Sequence, residues 1–232
     1  MLSFMASKHY ERARTPARQQ ERREDIVDAA RTLLERRGAL ELTLRDLADV
    51  VGMSKSSLLR YFETREAVFI ELLQREWRSL VDELALRLPG SPCSHKEVAT
   101  ELATVIAARP LFCELVSAAA VALERHVSLD VVRNYKREAY SASADVARLL
   151  VRALPGLDEQ SATAFAHALT PVVAGVWPLA HPGTTVAQLA SEPGFGWAHV
   201  DVDRSLAVLF EALLHGLPQV EQARRDGQTR HS

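Results

Sequence analysis

Cysteine is scarce in this chain: Cys93 and Cys113 are the only two among 232 residues. They form no C-x-x-C and no metal-type spacing, so neither a disulfide framework nor a zinc module is expected, and a reduced, intracellular setting is the simplest account. Long apolar runs are missing as well. The opening stretch MLSFMASKHYERAR is too polar for a signal peptide, and no later run is read as reaching the ~20 apolar residues of a membrane span, so the expected place is the cytoplasm, away from membranes. No internal repeat or low-complexity tract is present, and glycine and proline do not cluster before residue 155. Catalytic signatures are also missing. There is no glycine-rich phosphate loop, no G-x-S-x-G, no H-E-x-x-H and no telling Cys/His pair, so neither an enzyme, a cofactor nor a metal site is expected. The acidic pairs Glu24-Asp25 and Asp158-Glu159 read as helix-start residues serving the dipole.

What is present, past the first twenty residues, is mostly helical periodicity, with few strand signals. Net charge is only −2, but its distribution is uneven. Through Arg23, six bases (Lys8, Arg12, Arg14, Arg18, Arg22 and Arg23) face only Glu11 and Glu21, which places positive potential at the N-terminal end.

The most informative stretch is Leu42 to Phe62, LTLRDLADVVGMSKSSLLRYF. Thr43 with Asp46 makes a capping box, and Leu44, Leu47, Ala48 and Val51 recur at helical spacing. Gly52 can reverse the chain through the left-handed region, Met53 can plug back into the core, and Ser54 can cap a second helix from Lys55 to Tyr61. This is a helix-turn-helix pattern. In the second helix Ser56 and Ser57 allow close backbone approach and carry a donor and an acceptor each. Lys55 and Arg60 can meet phosphates or guanine edges, and Tyr61 can bond a phosphate. Arg65, in the first turn of the following helix, can reach a phosphate too. An ordinary helical hairpin with a polar outer face would satisfy the same pattern.

Ahead of this unit, residues 1–20 read as a flexible basic arm, followed by a first helix from about Gln19 to Arg37 with Ile26, Ala30, Leu33 and Leu34 on one side. A long helix then runs from the Thr64 cap to Pro89-Gly90. Further helices are expected over about 94–108, from Pro110 through Leu123, over 128–154, over 158–179 with a bend at Pro171, and over 201–217. Between the last two lies a loop with Pro182, Gly183, Pro193, Gly194 and Gly196, mobile or lid-like. The resulting architecture is all-α: a helix-turn-helix head over 21–66, a larger helical body over 67–220 and a disordered tail over 221–232.

With T-L-R-D-L-A, G-M-S-K-S-S-L-L-R-Y-F and T-R-E-A-V-F in place, the stretch from about Arg22 to Leu73 resembles the N-terminal domain of TetR-family transcriptional regulators. Members commonly carry an aromatic where this chain has Leu59, which can instead touch a thymine methyl. The resemblance implies operator contacts at Thr43, Arg45, Lys55, Ser56, Ser57, Arg60, Tyr61 and Arg65. It implies a homodimer built from the last two long helices, double-stranded DNA with a near-palindromic operator as partner, and a cavity for a small-molecule effector. Trp77, Phe112, Tyr135 and Trp177 are the leading candidates to line that cavity, with Cys113, His126, Tyr140 and His167 behind them. The function implied is that of a bacterial repressor released by its effector. The alternative is an all-helical carrier or enzyme whose helix-turn-helix binds protein.

Overall fold

The computed structural model describes residues 16–37, 42–88, 92–121 and 123–229. Among them there is no strand. Helix α1 spans Pro16–Arg37, starting inside the stretch expected to be arm. Proline suits a first helical position because its missing N–H would have no partner there. Residues 1–15 and the expected stop signal Gly38 lie outside the described residues. Because α1 begins so early, Glu24-Asp25 fall in mid-helix and do not serve a helix start.

Helix α2 is Leu44–Val50 and helix α3 is Lys55–Leu58. The Thr43 hydroxyl accepts from the Asp46 N–H, while Asp46 accepts from the Thr43 backbone N–H at 2.8 Å. Thr43→Ala should lower stability by about 1 kcal/mol in urea unfolding, with Asp46→Ala similar; a change within error for both would show that α2 is fixed by packing alone. Gly52 has φ +64, and Met53 N–H returns to Ala48 C=O at 2.8 Å, so the turn closes as a left-handed C-cap. Met53 packs against the core as expected.

The helix after the turn is shorter than its sequence pattern predicts. The second helix does not extend as α-helix to Tyr61: it is a single turn, followed by i to i+3 bonds from Arg60 N–H to Ser57 and from Tyr61 N–H to Leu58. The reason lies downstream. Phe62 is buried and Thr64 already caps the next helix, so the chain has only these residues in which to change direction.

Helix α4, Arg65–Arg87, leaves the head and becomes part of the body. The body comprises α5 (His95–Ala107), α6 (Pro110–Val121), α7 (Leu129–Ala153), α8 (Glu159–Ala180), α9 (Thr184–Ala190) and α10 (Val202–Thr229). Two 3-10 turns, Leu123–Arg125 and Gly196–Ala198, complete it. Helix α8 lies among α6, α7 and α10, while α4 packs on α5, α6 and α7. Phe165 of α8 meets Phe210 of α10 edge to face at 5.6 Å.

The body departs from expectation in three places. Helix α8 is, by length and composition alone, apolar enough to cross a membrane, contrary to the reading that no such run exists. Its alanines, valines and leucines together give it that hydropathy, and it packs between body helices, running through Pro171 and Pro178. Helix α10 continues past the expected end at Leu217, through Pro218 and into the tail expected to be disordered. Glu221 explains part of this: it is buried and accepts a bond from Gln160 of α8. The glycine-containing connection is not irregular throughout, because α9 and the second 3-10 turn occupy it.

Candidate nucleic-acid interface

The head presents one polar surface. Leu47, Ala48, Leu58 and Phe62 point into the core with Ile26, Ala30 and Leu34 of α1, which forces the alternate residues outward. Thr43, Arg45, Lys55, Ser56 and Arg60 are exposed, and Ser57 and Tyr61 are half-buried. Among the described residues Arg45, Lys55 and Arg60 have no ion-pair partner, which leaves three cations facing solvent on α2, α3 and the turn after it. The serines are pre-arranged. Ser54 Oγ accepts from Ser57 N–H at 3.1 Å, donates to Ser57 Oγ at 2.9 Å and lies 3.0 Å from Ser56 Oγ. Their hydroxyls therefore sit together at the start of α3, where donors for a negative group are close at hand. Leu59 is also exposed, beside this surface.

Arg65 is placed differently from the others. It is half-buried, donates to the Leu42 carbonyl and to Glu66, and so ties the start of α4 to the start of the helix-turn-helix. Those bonds hold the head together and compete with any phosphate.

A second set of charged residues is brought together only by the fold. Arg23 of α1 donates to the Tyr61 carbonyl at 2.6 Å and to Glu71 of α4, with its guanidinium 4.0 Å from the centre of the Phe62 ring. Arg75 pairs with Asp28 at 3.1 Å, and Arg31 pairs with buried Glu76. Arg109, at the start of α6, donates to Ser79 and to Glu83 and lies 3.9 Å from Glu76. The Arg109 guanidinium holds the Glu83 carboxyl below its ordinary range, against the opposing effect of burial. Together these pairs form a charged seam joining α1, α4 and α6. The signal available in the sequence is the group of charges on α4 at 71, 75 and 76.

The expected effector-cavity residues separate. Trp77 and Phe112 meet edge to face at 4.9 Å, both buried. Tyr135 is buried beside Trp77 with its phenol pushed up to about 12 by burial, and Cys113 is buried with its thiol likewise near 12. Trp77 Nε1 has no hydrogen-bond partner of good geometry, although the Tyr135 hydroxyl is close enough to be influenced by it. Trp177 stands apart, half-exposed and stacked on His181 at 3.8 Å. Trp77 lines a small cleft of about 280 Å³ between α4 and α7. Adjoining it is a wider groove of about 740 Å³ lined by α4, α7 and the start of α8. It has an apolar floor of Val81, Ala85, Ala147 and Val151, with Arg148 and Arg152 at its edge. Arg148 pairs with Asp145; Arg152 has no ion-pair partner among the described residues.

No group of three or more His, Cys, Asp or Glu residues is arranged to hold a metal among the described residues. His95 and His215 do approach, Nδ1 to Nδ1, at 3.1 Å, and Glu211 stands four residues before His215. Burial and the neighbouring imidazole hold His95 below its ordinary range, against the pull of Glu211.

A three-helix head with a polar reading surface, joined by one continuous helix to a larger helical body, defines a helix-turn-helix protein of the regulatory type. Comparison with known proteins gives the family. Residues 26–72 match the family of bacterial regulatory proteins of the tetR type, and residues 74–221 match the tetracyclin repressor-like C-terminal domain. The chain belongs to the TetR family.

Among individual relatives, the HTH-type transcriptional repressor KstR2 of Rhodococcus jostii is 36% identical over 63 residues, covering 27% of this chain and 29% of the relative. An uncharacterized HTH-type transcriptional regulator of Mycobacterium tuberculosis is 33% identical over 63 residues, 27% of this chain and 31% of the relative. The match thus spans less than a third of either curated relative. Solved structures extend further. The fatty acid degradation regulator FadR from Bacillus halodurans superposes with a TM-score of 0.53 at 16% identity, covering 83% of this chain and 98% of that one. The TetR family repressor AlkX from Dietzia sp. gives 0.52 at 14%, covering 85% and 95%. At such identities the likeness is one of fold.

Proposed function

We propose that the chain is a sequence-specific DNA-binding repressor that acts as a homodimer in the bacterial cytoplasm and loses DNA affinity when a small molecule binds its body. The observation that carries this reading is the exposed, unpaired set Arg45, Lys55 and Arg60 around the serine-capped start of α3. Lys55, Ser56, Ser57 and Arg60 would read base edges and phosphates in a major groove, Thr43, Arg45 and Tyr61 would fix the phosphate backbone, and Leu59 would contact a thymine methyl. Arg65 fits a positioning role, with any phosphate contact secondary. The alternative, a helical carrier or enzyme whose head binds protein, accounts for the groove but leaves three unpaired cations without a purpose.

Dimerisation is supported by the outer faces of two adjacent helices. On α8 the residues Thr163, His167, Pro171, Gly175 and Leu179 face solvent, and on α10 so do Val208, Leu209, Ala212 and Val220. Small residues beside exposed aliphatic ones allow close helix approach, and a two-fold axis would bring the same surface together twice. Two heads would then engage successive major grooves.

The experiment is a titration of the full chain against the DNA upstream of its own gene over a salt series. Affinity should fall log-linearly with salt, by a factor of about a thousand or more between 50 and 200 mM for six or more phosphate contacts. A response flat in salt would remove the DNA reading.

For the effector, the groove between α4, α7 and α8 suits a ligand with an apolar body and one anionic end, because its floor is apolar and Arg152 has no ion-pair partner among the described residues. Dodecanoate, as a probe, should raise the thermal midpoint of wild type and weaken its grip on DNA; Arg152→Ala should lose most of both effects. Equal responses in the two proteins would place the effector elsewhere. Only the difference in affinity between the DNA-competent and incompetent states matters for release.

A further inference from the structure

Between α8 and α10 the chain leaves the body in an excursion, residues 183–199, whose apolar side chains face solvent. Helix α9 buries no residue and neither does the 3-10 turn that follows; the main packing of each is against the other. Trp197 is 78% exposed, and Val186, Leu189 and Phe195 are exposed with it. Gly194, at φ +89, turns the chain so that the Phe195 and Trp197 rings lie 6.5 Å apart. A single exposed leucine is unremarkable on a protein surface. Two aromatic rings and two aliphatic side chains exposed within one short excursion mark a surface made to be covered.

The composition of the excursion narrows the choice of partner. Between Pro182 and Val200 the only charged residue is Glu192, and there is no lysine or arginine. DNA phosphates and anionic lipid headgroups both call for cations, so neither is the matching surface. An uncharged, apolar protein surface is. The excursion also has both roots beside such a surface: Leu179 is exposed at the end of α8, and Val208 and Leu209 are exposed on α10. Exposed apolar residues are thus present on both of the helices that the excursion connects.

We propose that residues 183–199 form an arm that closes over a second copy of this chain, with Trp197 and Phe195 seated at the edge of the partner's α8/α10 face. The inference rests on the dimer reading above and adds to it. The two-fold axis applies the contact twice, and a tryptophan that becomes buried at the rim of a helical interface is the type of side chain on which such interfaces depend most. The arm also has consequences for regulation. It connects the two helices of the dimer face, so anything that shifts α8 against α10 must also move the arm on the partner.

The test is sedimentation equilibrium of the full chain as wild type, Trp197→Ser, Phe195→Ser and Leu86→Ser, the last an exposed leucine on α4 as control. Neither ring is buried within its own subunit, so all variants should keep wild-type circular dichroism. The dimer dissociation constant should rise about tenfold or more for Trp197→Ser, and clearly for Phe195→Ser, with no change for Leu86→Ser. Iodide quenching, taken as the difference between wild type and Trp197→Phe, should show Trp197 shielded in the dimer and accessible on dilution. If Trp197→Ser dimerises as wild type and Trp197 is fully quenched in the dimer, the arm is overturned while the dimer stands. A wild type that remains monomeric at all accessible concentrations overturns both. Shielding of Trp197 that requires phosphatidylglycerol vesicles, and does not follow concentration, would overturn the proposal in favour of a membrane contact.

Discussion

Lys55→Ala combined with Arg60→Ala should weaken binding to the upstream DNA by about a hundredfold or more at physiological salt, with no change in thermal midpoint. Both side chains are exposed and have no ion-pair partner among the described residues, so their removal should report on DNA and not on the stability of the head. In a dimer the double variant deletes four cations. If each neutralises one phosphate, the slope of log affinity against log salt should become shallower by about 3.6, at ~0.9 per contact. If instead they read guanine edges, affinity for the specific site falls while the salt slope and non-specific binding change little. Either result supports the reading head; unaltered specific and non-specific binding would place the DNA surface elsewhere. Arg65→Ala should behave differently, lowering the stability of the head along with affinity, because its bonds to the Leu42 carbonyl and to Glu66 lie within the protein.

The second large effect is expected at Glu76→Ala. Glu76 is 4% exposed and stands between Arg31 of the head and Arg109 of the body. Removing one member of such a group leaves positive charge in a partly desolvated place, which costs about 3–5 kcal/mol for a fully buried pair. Arg31 is 40% exposed, so water offsets part of this and a loss of about 2–3 kcal/mol in urea unfolding is expected. Arg133→Ala, which breaks an exposed pair with Asp130, should leave stability unchanged within error. The functional consequence is the more specific one. Because the seam links α1 to α4 and α6, Glu76→Ala should also reduce the effect of a bound ligand on DNA affinity while leaving ligand binding in the body intact. A stability loss below about 0.5 kcal/mol would mean that the seam contributes no more than surface ion pairs do.

How far the sequence alone led depends on the range of the interactions involved. The Thr43–Asp46 box, the Gly52 turn, the Ser54 cap and the helix starts at Thr64, Ser94, Ser128 and Asp158 are local events, decided within a few residues, and each could be read in advance. The ends of α3 and α10 could not. The first is shortened by the buried Phe62 and the nearby Thr64 cap, and the second is prolonged through Glu221 bonding to Gln160, 61 residues away in sequence. The charged seam was hidden for the same reason, since Arg23–Glu71 and Arg31–Glu76 join residues that only the fold brings together. Trp77, Phe112, Tyr135 and Trp177 stood out as large polarisable residues. Three of them serve as core, and the groove beside them is floored by alanine and valine, residue types that announce nothing in a sequence.

The proposal as a whole depends on two heads meeting one operator. Hydroxyl-radical footprinting of the full-length protein on its upstream DNA, with the number of bound chains counted in the same complex, tests this most directly. Two protected tracts whose centres lie about one helical turn apart, ~34–36 Å along the duplex, with two chains bound, is the predicted result. A single protected tract under one bound chain, or protection indifferent to sequence, would contradict it.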